Sequence, residues 1–269
     1  MSKHKKLLVH AFLIVSCVVF VFPIYWLFIC ATNDTAGIVT GRLTVGSHLA
    51  ENFRNLLAAK NIWRAMFNSL RNAALQTVLA LFVSSLAGYG FEVFHDRKKD
   101  VLMNIILLSM LIPQISTAIP LYKMFSAWGL LNSWPAFVLP GVSSVFLIML
   151  FRQSARSFPS EVIQAARVDG LGEFGIFLRM FVPIMAPTYV AACTITFMNS
   201  WNSYLWPSIV MLSNDSMTMP LLLANLMSGY TQDYGMILLA VAICTLPTIL
   251  IFTLLQKSFA SGITGAVKM

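Results

Sequence analysis

The chain is poor in charge. Asp, Glu, Lys and Arg make up only 10% of its 269 residues, where soluble domains carry about 25%. Hydrophobic residues reach 58% and mean hydropathy is +0.78. A soluble fold has no means of hiding so much apolar surface, so lipid must serve as part of the solvent. Signs of resident chemistry are also missing. The four cysteines, Cys17, Cys30, Cys193 and Cys244, lie in apolar runs and show no metal spacing. They read as small buried apolar groups. His4, His10, His48 and His95 are scattered. No Gly-rich phosphate loop, no Ser/His/Asp set and no paired intramembrane carboxylates stand out. These absences argue against an enzyme, a catalytic residue, a metal site or a cofactor in this chain.

What is present is a set of long apolar runs. A helix needs about 20 apolar residues to cross the hydrocarbon core. Six runs qualify: Leu7–Ala31, Leu70–Phe94, Val101–Tyr122, Trp134–Phe151, Ala186–Leu212 and Gly235–Gln256. Their interiors hold no Asp, Glu, Lys or Arg. Lys3, Lys5 and Lys6 precede the first run, as in a signal peptide. That run is too long for a signal-peptide apolar region, and no small-residue cleavage site closes it, so it reads as a retained span. The expected fold is an all-α integral membrane protein with six transmembrane helices.

The net charge of +8 would by itself suggest nucleic acid, but its distribution assigns it to topology. With six spans, Lys and Arg divide 12 against 6 between the two sides, and Asp and Glu divide 6 against 4. The more basic side carries both termini, which the positive-inside rule places in the cytoplasm. Residues 1–69 read as an N-terminal span plus external loop, and residues 70–269 as a five-span core with a cytoplasmic loop at 157–183. The latter half of the external loop, Asn52–Leu57 through Ile62–Phe67, mixes aromatic and basic residues. It fits either an interfacial helix or an extension of the second span.

The loop between the fourth and fifth runs carries the most pattern. Pro159 stops what precedes it, Ser160 is placed to cap a helix, and Glu161 suits the helix N-terminus. A short helix with Val162, Ile163, Ala165, Ala166 and Val168 follows. Asp169-Gly170 ends it, since Gly accepts the positive φ of a helix terminus. A second amphipathic stretch, Glu173 to Phe181, leads to Pro183. The small alanines allow close approach by another protein, although a plain loop packed on its own bundle has the same pattern.

These residues resemble the permease subunits of binding-protein-dependent ABC importers. That family carries Glu-Ala-Ala, three residues, Gly, nine residues, then Ile-x-Leu-Pro. Here stand Gln164-Ala165-Ala166, Gly170, and Met180-Phe181-Val182-Pro183 at the same spacing. Gln164 lacks the charge of the family's Glu. The closest likeness is to the second permease of the maltose-type sugar importers. It rests also on Asn68-Ser69-Leu70, Ile119-Pro120-Leu121-Tyr122 with Trp128-Gly129-Leu130-Leu131-Asn132-Ser133, and Phe158-Pro159-Ser160-Glu161. Trp201-Asn202-Ser203-Tyr204-Leu205-Trp206-Pro207 and the tail Gly262–Lys268 continue it.

The resemblance implies a MetI-like type I ABC importer permease in a bacterial cytoplasmic membrane, paired as a heterodimer with a second homologous permease. Two ABC ATPase subunits would bind ATP and Mg, and an external sugar-binding protein would deliver a sugar or oligosaccharide. Nucleic acid has no place in it. By the family's pattern Glu161, Gln164, Ala165, Ala166, Asp169, Gly170 and Leu171 would contact the ATPase. Asn199, Trp201, Asn202 and Tyr204 in the outer half of the fifth span offer amides and rings suited to a sugar. An aromatic belt with polar helix packing explains them equally, and in maltose-type systems the companion permease supplies the sugar site. Met217, Thr218, Met219 and Pro220 match in position a loop that contacts the binding protein. The competing class is a stand-alone secondary carrier or channel. A proton-driven carrier generally needs ionisable groups inside the membrane, and the interiors of the runs hold no Asp, Glu, Lys or Arg.

Overall fold

Proline and glycine decide where the long apolar runs break. A computed structural model describes residues 3–229 and 232–267 and contains no strand among them. The first run forms one uninterrupted helix, α1 (Lys3–Cys30), with Pro23 inside it. Its side chains from Lys5 to Val15 stay exposed, as on a helix that faces lipid. Two short helices follow, α2 (Thr35–Val39) and α3 (Leu49–Ala59). The second run forms α4 (Ile62–Val93), whose 32 residues extend about 48 Å at 1.5 Å per residue. Ile62–Phe67 therefore belongs to the start of this spanning helix, and α3 alone is the separate external helix.

The third, fourth and fifth runs are not straight spans. α5 (Arg97–Leu108) and a further turn lead to Pro113, after which α6 (Gln114–Ala127) departs at 95°. α7 (Trp134–Val138) ends in the turn at Leu139-Pro140-Gly141, and α8 (Val145–Ala155) resumes at 47°. The cytoplasmic loop holds α9 (Ser160–Val168) and α10 (Glu173–Ile176). A π-helical turn, Phe177–Phe181, joins α10 to α11 (Val182–Ile184). α12 (Ala186–Trp201) then turns by 81° from that segment. The expected span Ala186–Leu212 stops at Trp201. Asn202-Ser203-Tyr204 interrupts it, and α13 (Leu205–Val210) is a separate short helix. Last come α14 (Met219–Met227) and α15 (Tyr234–Val267). Among the described residues three helices are long and apolar enough to cross a membrane, and up to six spans result when each bent pair counts as one. Gly262–Val267 of the C-terminal match lies in α15, while Lys268 lies outside the described residues.

The chain divides into two compact units, residues 1–64 with 221–246, and residues 65–220 with 247–269. Each is discontinuous in sequence, whereas the sequence reading cut the chain once, near residue 69. In the first unit, asparagines satisfy the backbone where α1 ends. Buried Asn33 donates to Ile29 O at 2.9 Å and Thr44 O at 3.0 Å. Asn52 donates to Ala31 O and Asn33 O, each at 3.0 Å. Gly235 packs against this knot so closely that an added Cβ would stand 2.6 Å from Asn33 O. Asn55 donates to Asp233 at 3.1 Å.

The core of the second unit gathers under the cytoplasmic loop. Tyr89, Ala155, Phe158, Ile163, Ala166, Ile176, Phe177, Phe181 and Met185 form one buried cluster. Its rings meet edge-on or stacked: Tyr89 lies 5.4 Å from Phe177 and 5.0 Å from Phe181, and Phe158 lies 5.5 Å from Phe181. Such pairs add about 0.5–1.5 kcal/mol beyond area burial. At the start of α5, Asp96 caps the helix by accepting from Lys99 N at 2.8 Å. Hydrogen bonds from the Lys99 side chain and backbone hold the Asp96 carboxyl below its usual range. This cap is complete above the ordinary carboxylate pKa and weakens as pH falls through the depressed value.

Candidate functional site: the cytoplasmic hairpin and an adjacent cleft

The hairpin is built by local rules. α9 starts at Ser160 directly after Pro159, and no side chain caps its N-terminus, so Ser160 is the first helical residue rather than the cap. Glu161 still stands in the first turn, facing the helix's positive end. Gly170 takes φ +79°, the left-handed conformation that ends a helix. Leu171 N then bonds to Ala166 O at 3.0 Å and Gly170 N to Arg167 O at 3.1 Å. Across this turn Arg167 Nε donates to Glu173 Oε1 at 2.7 Å. The Glu173 carboxylate pushes the Arg167 guanidinium up from its usual range.

Periodicity splits α9 into two faces. Ile163 and Ala166 are buried in the aromatic cluster, with Val162 against it. Glu161, Gln164, Ala165, Arg167, Val168, Asp169 and Gly170 are exposed. Val168 is 88% exposed, an extreme for a valine next to a well-packed core. Among the residues expected to contact the ATPase, five thus stand on the open face. Ala166 and Leu171 do not: Ala166 is buried in the chain's own core and Leu171 packs against it. The small alanine at 166 lets α9 approach its own bundle, and only Ala165 offers a small side chain outward.

The residues expected to line a substrate path are scattered. Asn199, Asn202 and Tyr204 are exposed. Trp201 is 1% exposed and stacks on Phe197 at 6.0 Å, so it is core. The space nearby belongs to other residues. A cleft of about 90 Å³ is lined by Gln76 of α4, Gln114, Thr117 and Leu121 of α6, Phe137 of α7, Pro140, Gly141, Ser203, and Trp206 of α13. Gln76 Oε1 accepts from Ser200 Oγ at 2.9 Å. Trp206 Nε1 donates to Ala136 O at 2.8 Å, which fixes its ring as a wall. Gln76 and Gln114 carry no charge and were not among the expected site residues. Amides inside long apolar runs were the available signal.

The residues expected to contact the binding protein are largely covered by this chain itself. Met217, Thr218 and Met219 are buried, Thr218 at 2% and Met219 at 0% exposure. Asn68 Nδ2 donates to Asp215 O at 2.8 Å and Met217 O at 3.0 Å, and Met219 N donates to Ser69 Oγ at 2.8 Å. Asn68 and Ser69 thus hold Met217–Met219 against the start of α4. The exposed part of this segment is the turn at Leu212, Asn214 and Asp215.

Asn132 shapes that turn. It sits at φ +62°, and its Oδ1 accepts from Leu212 N at 2.6 Å, Ser213 N at 2.8 Å and Ser216 Oγ at 3.1 Å. Asn is one of the few residues that adopts this conformation readily, because its side chain bonds locally. Asn132→Ala loses both the conformation and the acceptor, and should destabilise by about 2 kcal/mol. Asn132→Gly keeps the backbone and should cost less. Thermal unfolding of the two variants in detergent measures the difference, and equal losses would remove the conformational part of the argument.

Among the described residues no group of three or more His, Cys, Asp or Glu is placed to hold a metal. Residues 80–265 match the sequence profile of the binding-protein-dependent transport system inner membrane component. The lactose transport system permease protein of Rhizobium radiobacter is 42% identical over 248 residues, covering 92% of this chain and 91% of that protein. The arabinooligosaccharides transport system permease protein of Bacillus subtilis is 33% identical over 267 residues, covering 96% and 94%. The crystal structure of a bacterial ABC transporter involved in the import of the acidic polysaccharide alginate shares the fold. Its TM-score is 0.82 at 19% identity, over 96% of this chain and 99% of that one. With up to six bent or straight spans among the described residues and a profile match over most of its length, the chain belongs to the inner membrane components of binding-protein-dependent transport systems.

Proposed function

We propose that this chain is one permease subunit of an ATP-driven ABC importer for a sugar or oligosaccharide, and that the α9–α10 hairpin receives the force. The observation that carries the reading is the division of α9. One face, Ile163 and Ala166, is fixed into the aromatic core. The other face, with Glu161, Gln164, Ala165, Asp169 and Gly170, is open. A helix so held passes displacement to whatever shares its core, here Phe158 after α8, Tyr89 of α4 and the π-helical turn before α12. Such turns occur often at functional sites. The names of the relatives, lactose and arabinooligosaccharide permeases, support a carbohydrate as the cargo.

The partners follow from the same reading. Two ATPase subunits bind ATP and Mg and hydrolyse it. A second homologous permease completes the pathway, and an external binding protein delivers the sugar. Gln164 removes the acidic group found at this place in the family, so docking here relies on shape and on Glu161 and Asp169 for charge. Both termini are cytoplasmic. Purification from the native membrane followed by mass spectrometry should recover the ATPase and a second permease. Reconstituted vesicles should then take up sugar only with ATP and the binding protein. Uptake by the purified chain alone, without ATP, would instead establish a secondary carrier.

A further inference from the structure

We propose that the cleft at Gln76, Gln114, Thr117 and Ser203 is a polar subsite for one hydroxylated ring of the transported sugar. The proposal rests on the importer reading above and adds a contact on this chain. Gln76 stands near the middle of α4 (62–93), on a stretch that also buries the polar residues Asn72 and Thr77. Gln114 opens α6 at the 95° break after Pro113, and Thr117 follows one turn later. The interruption after α12 brings Ser203 to the same space. Two helix breaks thus deliver polar groups to the space beside Gln76. Irregular backbone at membrane depth is tolerated where it is buried in protein or lines an aqueous cavity.

The arrangement matches a sugar edge. An amide both donates and accepts, so it pairs with adjacent hydroxyls, each of which does the same. Gln76 Oε1 is already engaged by Ser200 Oγ at 2.9 Å, which fixes the amide plane and directs its NH2 toward Gly141. An added Cβ at Gly141 would overlap that amide nitrogen and approach the Gln76 amide carbon to 2.7 Å. Gly141 is therefore the residue that makes room for the amide. Thr117 Oγ1 donates to Gln114 O at 2.9 Å and keeps its lone pairs for a ligand hydroxyl. Phe137 and Trp206 supply apolar walls for the C–H face of a ring. At about 90 Å³, the cleft admits the edge of one ring rather than a chain. An oligosaccharide would present its units to it in turn.

The test uses the complete transporter in vesicles, with sugar uptake and binding-protein-stimulated ATP hydrolysis measured on the same preparation. Gln76→Leu and Gly141→Ala should each lower sugar transported per ATP hydrolysed about fivefold or more. The drop should differ between sugars of different hydroxyl stereochemistry. Ser200→Ala removes the bond that orients the Gln76 amide but leaves that amide in the cleft, so transport per ATP should fall clearly less than in Gln76→Leu. If Ser200→Ala matches Gln76→Leu, the Gln76 amide serves helix packing and the subsite is wrong. Wild-type ratios in both Gln76→Leu and Gly141→Ala, for every sugar tried, would also overturn it. A wild-type complex that imports no sugar with ATP would bring down the importer reading and the subsite with it, which separates that failure from the failure of the subsite alone.

Discussion

Gly170→Val should lower ATP-driven uptake about tenfold or more, with a parallel loss of co-purifying ATPase and little change in the amount of permease in the membrane. Two separate physical effects act at this position. The first is conformational: Gly170 lies at φ +79°, and a β-branched residue held there costs about 1–2 kcal/mol. That is enough to shift the turn between α9 and α10 and to disturb the Arg167–Glu173 pair across it. The second is steric, and it acts only on a partner. Apart from its chain neighbours, nothing in this chain lies within 4 Å of a Cβ added at Gly170, so the added carbon points into open space. Gly170→Asn separates the two effects, because Asn tolerates the left-handed conformation but still adds bulk. An intermediate loss for Asn is expected, since 1.4 kcal/mol corresponds to tenfold in binding. Val and Asn variants that capture ATPase and import as the wild type does would end the coupling role of this turn.

The same hairpin shows what a sequence can and cannot carry. The spacing from Ala165-Ala166 to Gly170 to Pro183 was readable because a helix stop needs a positive φ and Gly is the residue that supplies it. The inward and outward faces of α9 were readable only in part. Ala165 and Ala166 are chemically identical, and only the position of the core decides that 166 turns in. The spans were legible as apolar mass, not as shape. Composition cannot separate a straight span from one bent by 95° at Pro113, because lipid accepts either once the backbone is satisfied. Trp201 misled for a similar reason: an aromatic beside amides suits both a sugar and a core, and its stacking on Phe197 made it core. Gln76 leaves no mark in the charge pattern. An amide carries no charge, yet it brings the same demand for a partner into the membrane.

Arg152→Ala should destabilise the second unit by about 1–3 kcal/mol and lower coupled uptake before it lowers membrane insertion. Arg152 is 8% exposed at the end of α8. Its Nε donates to Glu92 Oε2 at 3.2 Å and one Nη donates to Asp100 Oδ1 at 2.5 Å. One guanidinium thus ties the ends of α4, α5 and α8. Arg156 adds a longer contact to Glu92 at 3.4 Å, and His95 Nε2 lies 2.9 Å from Asp100 Oδ2. The helices are already close: a Cβ at Gly88 would stand 2.7 Å from Phe151 Cβ and from Arg152 N. Truncation leaves Glu92 and Asp100 facing each other without their shared cation, a repulsion added to the lost bonds. The estimate sits at the lower end for a buried pair because water reaches both carboxylates, whose side chains are 21% and 42% exposed. Arg152→Lys should recover only part of the loss, since an ammonium lacks the planar fork that reaches two carboxylates at once. The exchange Glu92→Arg with Arg152→Glu leaves Asp100 opposite a carboxylate, so it should remain less stable than the wild type. α8 runs directly into Phe158 and the core that holds α9. A loosened α8 should therefore blur the hairpin's position and raise ATP hydrolysed per sugar delivered. Thermal unfolding in detergent and the uptake-to-hydrolysis ratio test both halves, and an Arg152→Ala protein with wild-type values in each would show that the close packing at Gly88 holds these helix ends without the ion pairs.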